Sequence, residues 1–175
     1  MRCHPNPSDH VSIELARETH INFGGQENVD DRFTRGFLAG VLAGIPTFIF
    51  NVGSSLLNLT TVLWLDIMAI FLYGREPLTL GEMAFASLTT FGFVGALGAV
   101  FAYLLTGLSH ENIIFKAWVF SVAVGFSTFA ITQLFAVPEM AFVPLQTVAL
   151  NFAGASVWGL SLGPILNWLT KKVES

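Results

Sequence analysis

Four long apolar stretches, at residues 36–60, 83–105, 113–135 and 145–169, dominate the chain. A hydrocarbon core about 30 Å thick takes about 20 mostly apolar residues of helix to cross, and each stretch meets that length. Lipid offers no partner to backbone N–H and C=O groups, so a segment spanning it must satisfy them internally. The pattern predicts an all-α, polytopic membrane protein with four transmembrane helices in a compact bundle. Composition agrees, with 53% apolar and only 11% charged residues among 175, where a soluble domain carries about 25% charged.

The basic residues set the expected direction. Arg2, Arg17, Arg32 and Arg35 precede the first span, Lys116 sits beside the connection between the second and third, and Lys171 and Lys172 follow the fourth. Arg75 alone falls in the first connection, and residues 136–143, before the last span, carry no positive charge. The positive-inside bias therefore predicts both termini in the cytoplasm, N-in and C-in. Tyr103, Trp118 and Trp168 are expected at the cytoplasmic ends, Trp64 and Tyr73 at the opposite ends, and Trp158 deeper. Residues 1–35 hold charges of both signs and lack the apolar core of a signal peptide. They read as a polar, flexible cytoplasmic tail interrupted by Pro5, Pro7, Gly24 and Gly25, ahead of a transmembrane domain at 36–170 and a short cytoplasmic tail at 171–175.

Local chemistry marks the edges of the spans. Thr79-Leu80-Gly81-Glu82 has the spacing of a capping box, in which a hydroxyl and a carboxylate cover free backbone donors. Ser109 is placed to cap the third helix, with Glu111 in its first turn favoured by the helix dipole. Pro144 suits the start of the fourth, where its missing N–H costs nothing, and Pro46 would kink the first. Residues 61–74 are apolar apart from Asp66 and too short for a further crossing, which would also move Lys116 and the C-terminal lysines outside. They are expected to form a short extra helix between spans 1 and 2, lying on the outer surface, with Asp66 and Arg75 paired at the boundary.

Small residues recur at helical spacing. Gly36, Gly40 and Gly44 share one face of the first helix, Gly92, Gly95 and Gly98 repeat along the second, and Ala155, Gly159 and Gly163 along the fourth. Without side chains, another backbone approaches closely and dispersion replaces the missing hydrophobic drive. Such faces either seal the helices of one chain together or bind a second copy or partner. The candidate polar residues near the membrane are Asn51 and Asn58, which continue one stripe with Ser54 if the first helix runs on, together with Asp66, Gln133, Gln146 and Asn151. Because unpaired polar groups are costly in hydrocarbon, they are expected to gather toward the outer leaflet. There they would form interhelical hydrogen bonds, or a polar cavity in which Asp66 or Glu82 holds a cation or proton.

Catalytic signatures are absent: no HExxH, GxSxG or P-loop occurs, and no His pair for haem lies within a span. Cys3, His4, His10 and His20 do not have the two close ligand pairs of a zinc site. A net charge of -4 gives no basic field for nucleic acid. No enzyme, cofactor or metal is expected.

Arg35-Gly36-Phe37-Leu38-Ala39-Gly40, opening the first span, and Leu134-Phe135-Ala136-Val137-Pro138-Glu139-Met140, before the fourth, carry a resemblance. With the four-span layout they resemble small membrane proteins of Gram-positive, often spore-forming bacteria, the YqhR-like group, across about residues 32–170. The resemblance implies a bacterial plasma membrane and transfers no activity or site residue. The leading functional expectation is a non-enzymatic scaffold or accessory subunit, associating with itself or a membrane-protein partner through its glycine-rich faces. The alternatives are a small oligomeric transporter or channel component using the polar cluster, and a lipid-binding or envelope-sensing protein using residues 61–74.

Overall fold

The computed structural model describes residues 7–60, 64–108, 111–135 and 143–173. All regular structure among them is helical: α1 (Pro7–Leu56), α2 (Trp64–Tyr73), α3 (Leu80–Leu104) running into a 3-10 turn (Leu105–Gly107), α4 (Ile113–Leu134) and α5 (Leu145–Val173). Four segments are long and apolar enough to cross a membrane: Asp31–Leu56, Leu80–Gly107, Ile113–Thr132 and Leu145–Lys171. Each overlaps one of the four predicted stretches. The possible ligands Cys3 and His4, the Ser109 cap and most of the 136–143 connection lie outside the described residues.

The first helix departs from expectation at both ends. The segment read as an interrupted tail is the beginning of α1, which is one 50-residue helix. Pro7 stands at its first position, where proline is tolerated. Gly24 and Gly25 weaken a helix by only about 1 kcal/mol each relative to Ala, and they keep their N–H donors. At the other end α1 stops four residues before the predicted edge. Asn58 adopts the left-handed conformation, φ 54°. Its N–H bonds to the Ser55 carbonyl at 2.9 Å, and the Leu59 N–H reaches the Ser54 carbonyl at 2.9 Å. This pair of bonds is the Schellman closure, with asparagine substituting for the usual glycine.

Residues 64–73 do form the expected extra helix, but not one laid on a surface. Ile67, Met68, Ala69 and Ile70 are all buried, and four consecutive helical residues sweep about 300° around the axis. A surface helix buries one stripe; α2 is wedged among its neighbours. It packs on α3, and Ile67 contacts Trp64, Phe129 of α4 and Val143. The Asp66–Arg75 pair is also corrected. Arg75 binds Glu82 through both ends of its guanidinium, at 3.0 and 2.9 Å. The bonds from Glu82 raise the Arg75 pKa above its ordinary value. Glu82 lies in the first turn of α3, where its N–H donates to the Thr79 hydroxyl at 3.2 Å. Its carboxylate accepts from the Leu78 N–H at 2.8 Å, so the capping box forms with its reciprocal arm extended. In α4, helix begins at Ile113 after a left-handed Asn112, which leaves Glu111 outside the first turn. Pro144 immediately precedes α5, and its carbonyl accepts from the Val148 N–H at 3.1 Å.

The long helices pack in the order α3, α1, α5, α4, so α1 is flanked by α3 and α5 and α5 by α1 and α4. The core lies in the half that holds the C-terminus of α5. There Ala39 and Ala43 of α1, Phe101, Ala102 and Leu105 at the end of α3, Ala117 of α4, and Trp158, Leu162 and Leu166 of α5 form one buried cluster. The Phe101 and Phe120 rings, 5.3 Å apart, join α3 to α4 across it. Trp158 is 4% exposed and donates its indole N–H to the Gly40 carbonyl at 3.1 Å. This satisfies the polar end of a buried tryptophan and ties α5 to α1.

Candidate functional site

The glycine faces explain where space is left. A Cβ on Gly40 would lie 2.2 Å from the Val94 carbonyl oxygen, and one on Gly98 would lie 2.3 Å from the Gly36 carbonyl oxygen. A Cβ on Gly36 would be 2.7 Å from Ala99, and one on Gly95 would be 2.7 Å from the Phe37 ring. Gly159 meets Ala117 and Ser121 of α4 at 2.7 Å, Gly163 meets Ile114 at 2.9 Å, and Ala155 faces Gly125. These residues bring α1 against α3 and α5 against α4 within one chain. Gly92 differs from the sequence-based expectation: nothing lies within 4 Å of its Cβ position, and it faces outward.

The α1 repeat of small residues, 36, 40 and 44, ends where the next two positions at the same spacing are Phe48 and Val52. On α3 the seam gives way to Phe91, whose ring lies 5.9 Å from that of Phe48. Bulk replaces glycine on both facing helices, so their backbones cannot stay in contact beyond Gly44. In this half, the α2 end, they leave a cavity of about 350 Å³, at the low end of the range for small-molecule sites.

All five helices contribute to its wall. Trp158 and Leu97 lie toward the core, Trp64 and Leu65 of α2 stand at the far end, and Ser121, Val124, Asn151 and Gly154 form the back. Its rim residues Phe48, Val52 and Leu56 on α1 and Met83 and Ala84 on α3 are exposed. Its mouth therefore opens sideways between α1 and α3, toward the side of the helices rather than along their axes. None of the described residues that line it is charged.

Of the six candidate polar residues, the five whose side chains are described do not converge. Asn51 and Asn151 reach the cavity; Asn51 donates an amide N–H to the Thr47 carbonyl at 2.9 Å, and its side chain lies beside Gly154. Asn58 is exposed and closes α1. Gln146 is exposed in the first turn of α5, and Asp66 is half-buried in the first turn of α2 away from the cavity. The Gln133 side chain lies outside the described residues. The sequence-based set missed Ser87 and Thr90, which line the α3 wall; their signal was weak, because isolated hydroxyls are common in membrane helices. Among the described residues, no group of three His, Cys, Asp or Glu could hold a metal. No family model matches the chain, and neither a curated protein nor a solved structure does.

Proposed function

We propose that this chain is a non-enzymatic, multi-pass protein of a bacterial plasma membrane that holds a lipid in the cavity between α1 and α3. The observation that carries the reading is the mouth: an apolar rim opening laterally between two helices long enough to span a bilayer. A ligand entering there comes from the acyl layer. The charge bias supports an outer-leaflet position for this end of the helices.

Two other expectations draw less support. Association through the glycine faces would require pulling α1 from α3, because Gly36, Gly40, Gly95 and Gly98 already meet atoms of the same chain. Cation or proton binding lacks a lining charge, and Glu82 is bound to Arg75. A partner helix, about 10 Å wide with its side chains, does not fit about 350 Å³.

Native mass spectrometry from mild detergent tests the proposal. Wild-type protein should retain one lipid per chain. Ala84→Trp, which fills the mouth from an exposed rim position, should lose it with unchanged helicity. No retained lipid, or equal retention in both proteins, would count against the reading.

A further inference from the structure

Resting on the lipid-binding reading, we infer that the lipid held in the cavity is an uncharged alcohol, its hydroxyl donating to oxygen acceptors on α1 and α3. The cavity excludes charge. Binding a phosphate or carboxylate away from water demands a cation or an array of N–H donors, and no described lining residue is Lys, Arg or His. Arg75 does not line the cavity and is bound to Glu82. The lining is nevertheless not purely hydrocarbon, because Thr47, Asn51, Ser55, Ser87, Thr90, Ser121 and Asn151 contribute to it.

The hydroxyls of Thr47, Ser87, Thr90 and Ser121 have committed their donors rather than their acceptors. Thr47 donates its hydroxyl to the Ala43 carbonyl at 3.1 Å. Ser87 donates to the Met83 carbonyl and Thr90 to the Ala86 carbonyl, each at 2.8 Å. Ser121 donates across the seam to the Ala155 carbonyl. A hydroxyl has one proton and two lone pairs, so each retains acceptor capacity after donating. Asn51 uses one amide N–H on Thr47 and keeps the other N–H beside a carbonyl oxygen with two lone pairs, and Ser55 adds a hydroxyl that is both donor and acceptor. The α1 and α3 walls thus offer more acceptors than donors. A ligand that complements them brings its own proton and no charge, as a lipid alcohol does; an ester or hydrocarbon head cannot donate, and an ionised head cannot be matched.

The test uses the full chain in lipid nanodiscs with a photoreactive ten-carbon alcohol as probe. Decanol, decane, decanoate and decyl phosphate compete for its cross-link at equal membrane concentrations. Cross-links should map to α1 and α3 at the cavity, and decanol should compete about fivefold better than decane and better than either anion, the gain expected from one net hydrogen bond. Thr90→Val, nearly isosteric, should abolish the lead of decanol over decane while leaving decane unchanged, and Asn51→Leu should act in the same direction. Equal competition by decane and decanol, a lead for either anion, or an unchanged lead in both variants overturns the head-group inference and leaves the lipid site standing. Absence of any saturable cross-link in the cavity brings down the lipid-binding reading itself.

Discussion

Replacing Gly40 by alanine adds one methyl group, whose carbon would lie 2.2 Å from the Val94 carbonyl oxygen and 3.1 Å from the Cα atoms of Gly95 and Gly98. All three obstacles are backbone, so no rotamer change relieves the clash and the helices must separate by about 1 Å. A gap of that size forfeits a quarter to a half of each dispersion contact along the seam. Overpacking costs about 1–3 kcal/mol, and a backbone obstacle places this case near the upper limit. Alanine returns about 1 kcal/mol through helix propensity. The net loss is about 2 kcal/mol, close to a thirtyfold shift in the unfolding equilibrium. Unfolding in mixed micelles with a rising SDS fraction, followed by circular dichroism at two protein concentrations, measures it. The loss should be independent of concentration, because the seam is intramolecular. Gly92→Ala is the control: with nothing within 4 Å, it should be neutral or stabilise by up to about 1 kcal/mol. A Gly40→Ala protein as stable as wild type, or one altered only in its oligomer fraction, would refute the assignment of this seam to the interior of one chain.

Other substitutions test the remaining contacts in the same unfolding assay. Trp158→Phe removes the hydrogen bond to the Gly40 carbonyl and part of a buried ring system, and should cost about 1–3 kcal/mol. Asn58→Gly should be neutral or stabilise slightly, and Asn58→Leu should destabilise by about 1 kcal/mol, because the position is left-handed and asks for little else; a large loss with glycine would instead mean that the amide is needed. Thr79→Ala removes the acceptor for the Glu82 N–H and should cost about 1 kcal/mol. Arg75→Gln should leave stability nearly unchanged, since its ion pair with Glu82 is exposed and solvent-screened.

The four long apolar helices were legible because hydrophobic length and punctuation agree there. Pro144, Thr79 and Glu82 mark their helix starts by local chemistry that acts whatever the tertiary contacts. The glycine stripes announced close approach, and only the structure assigned the partners, because a bare backbone face carries no identity. Asn58 misled for a physical reason: at a spacing shared with Asn51 and Ser54 it reads as a continued polar stripe, and the left-handed turn that ends α1 leaves no separate mark. Asp66 was paired with Arg75 by proximity in sequence, whereas the guanidinium found the carboxylate already anchored in the first turn of α3. The cavity was hidden for a subtler reason. Its cause, glycine giving way to Phe48 on α1 and Phe91 on α3, is written in the chain, but a void appears only when the two changes are known to face each other. The placement of α2 was likewise hard to read, since a helix apolar all round shows no stripe to tell a wedge from a surface segment.

Helices α1 and α3 touch through glycine at one end and diverge at the other, on the proposed reading to admit a lipid. Electron cryo-microscopy of the protein in lipid nanodiscs tests it most directly. Elongated density between Phe91 and Trp158, continuous with the acyl layer past Val52 and Ala84, is the result expected. Helices α1 and α3 closed together beyond Gly44, with no space in front of Asn151, would contradict it.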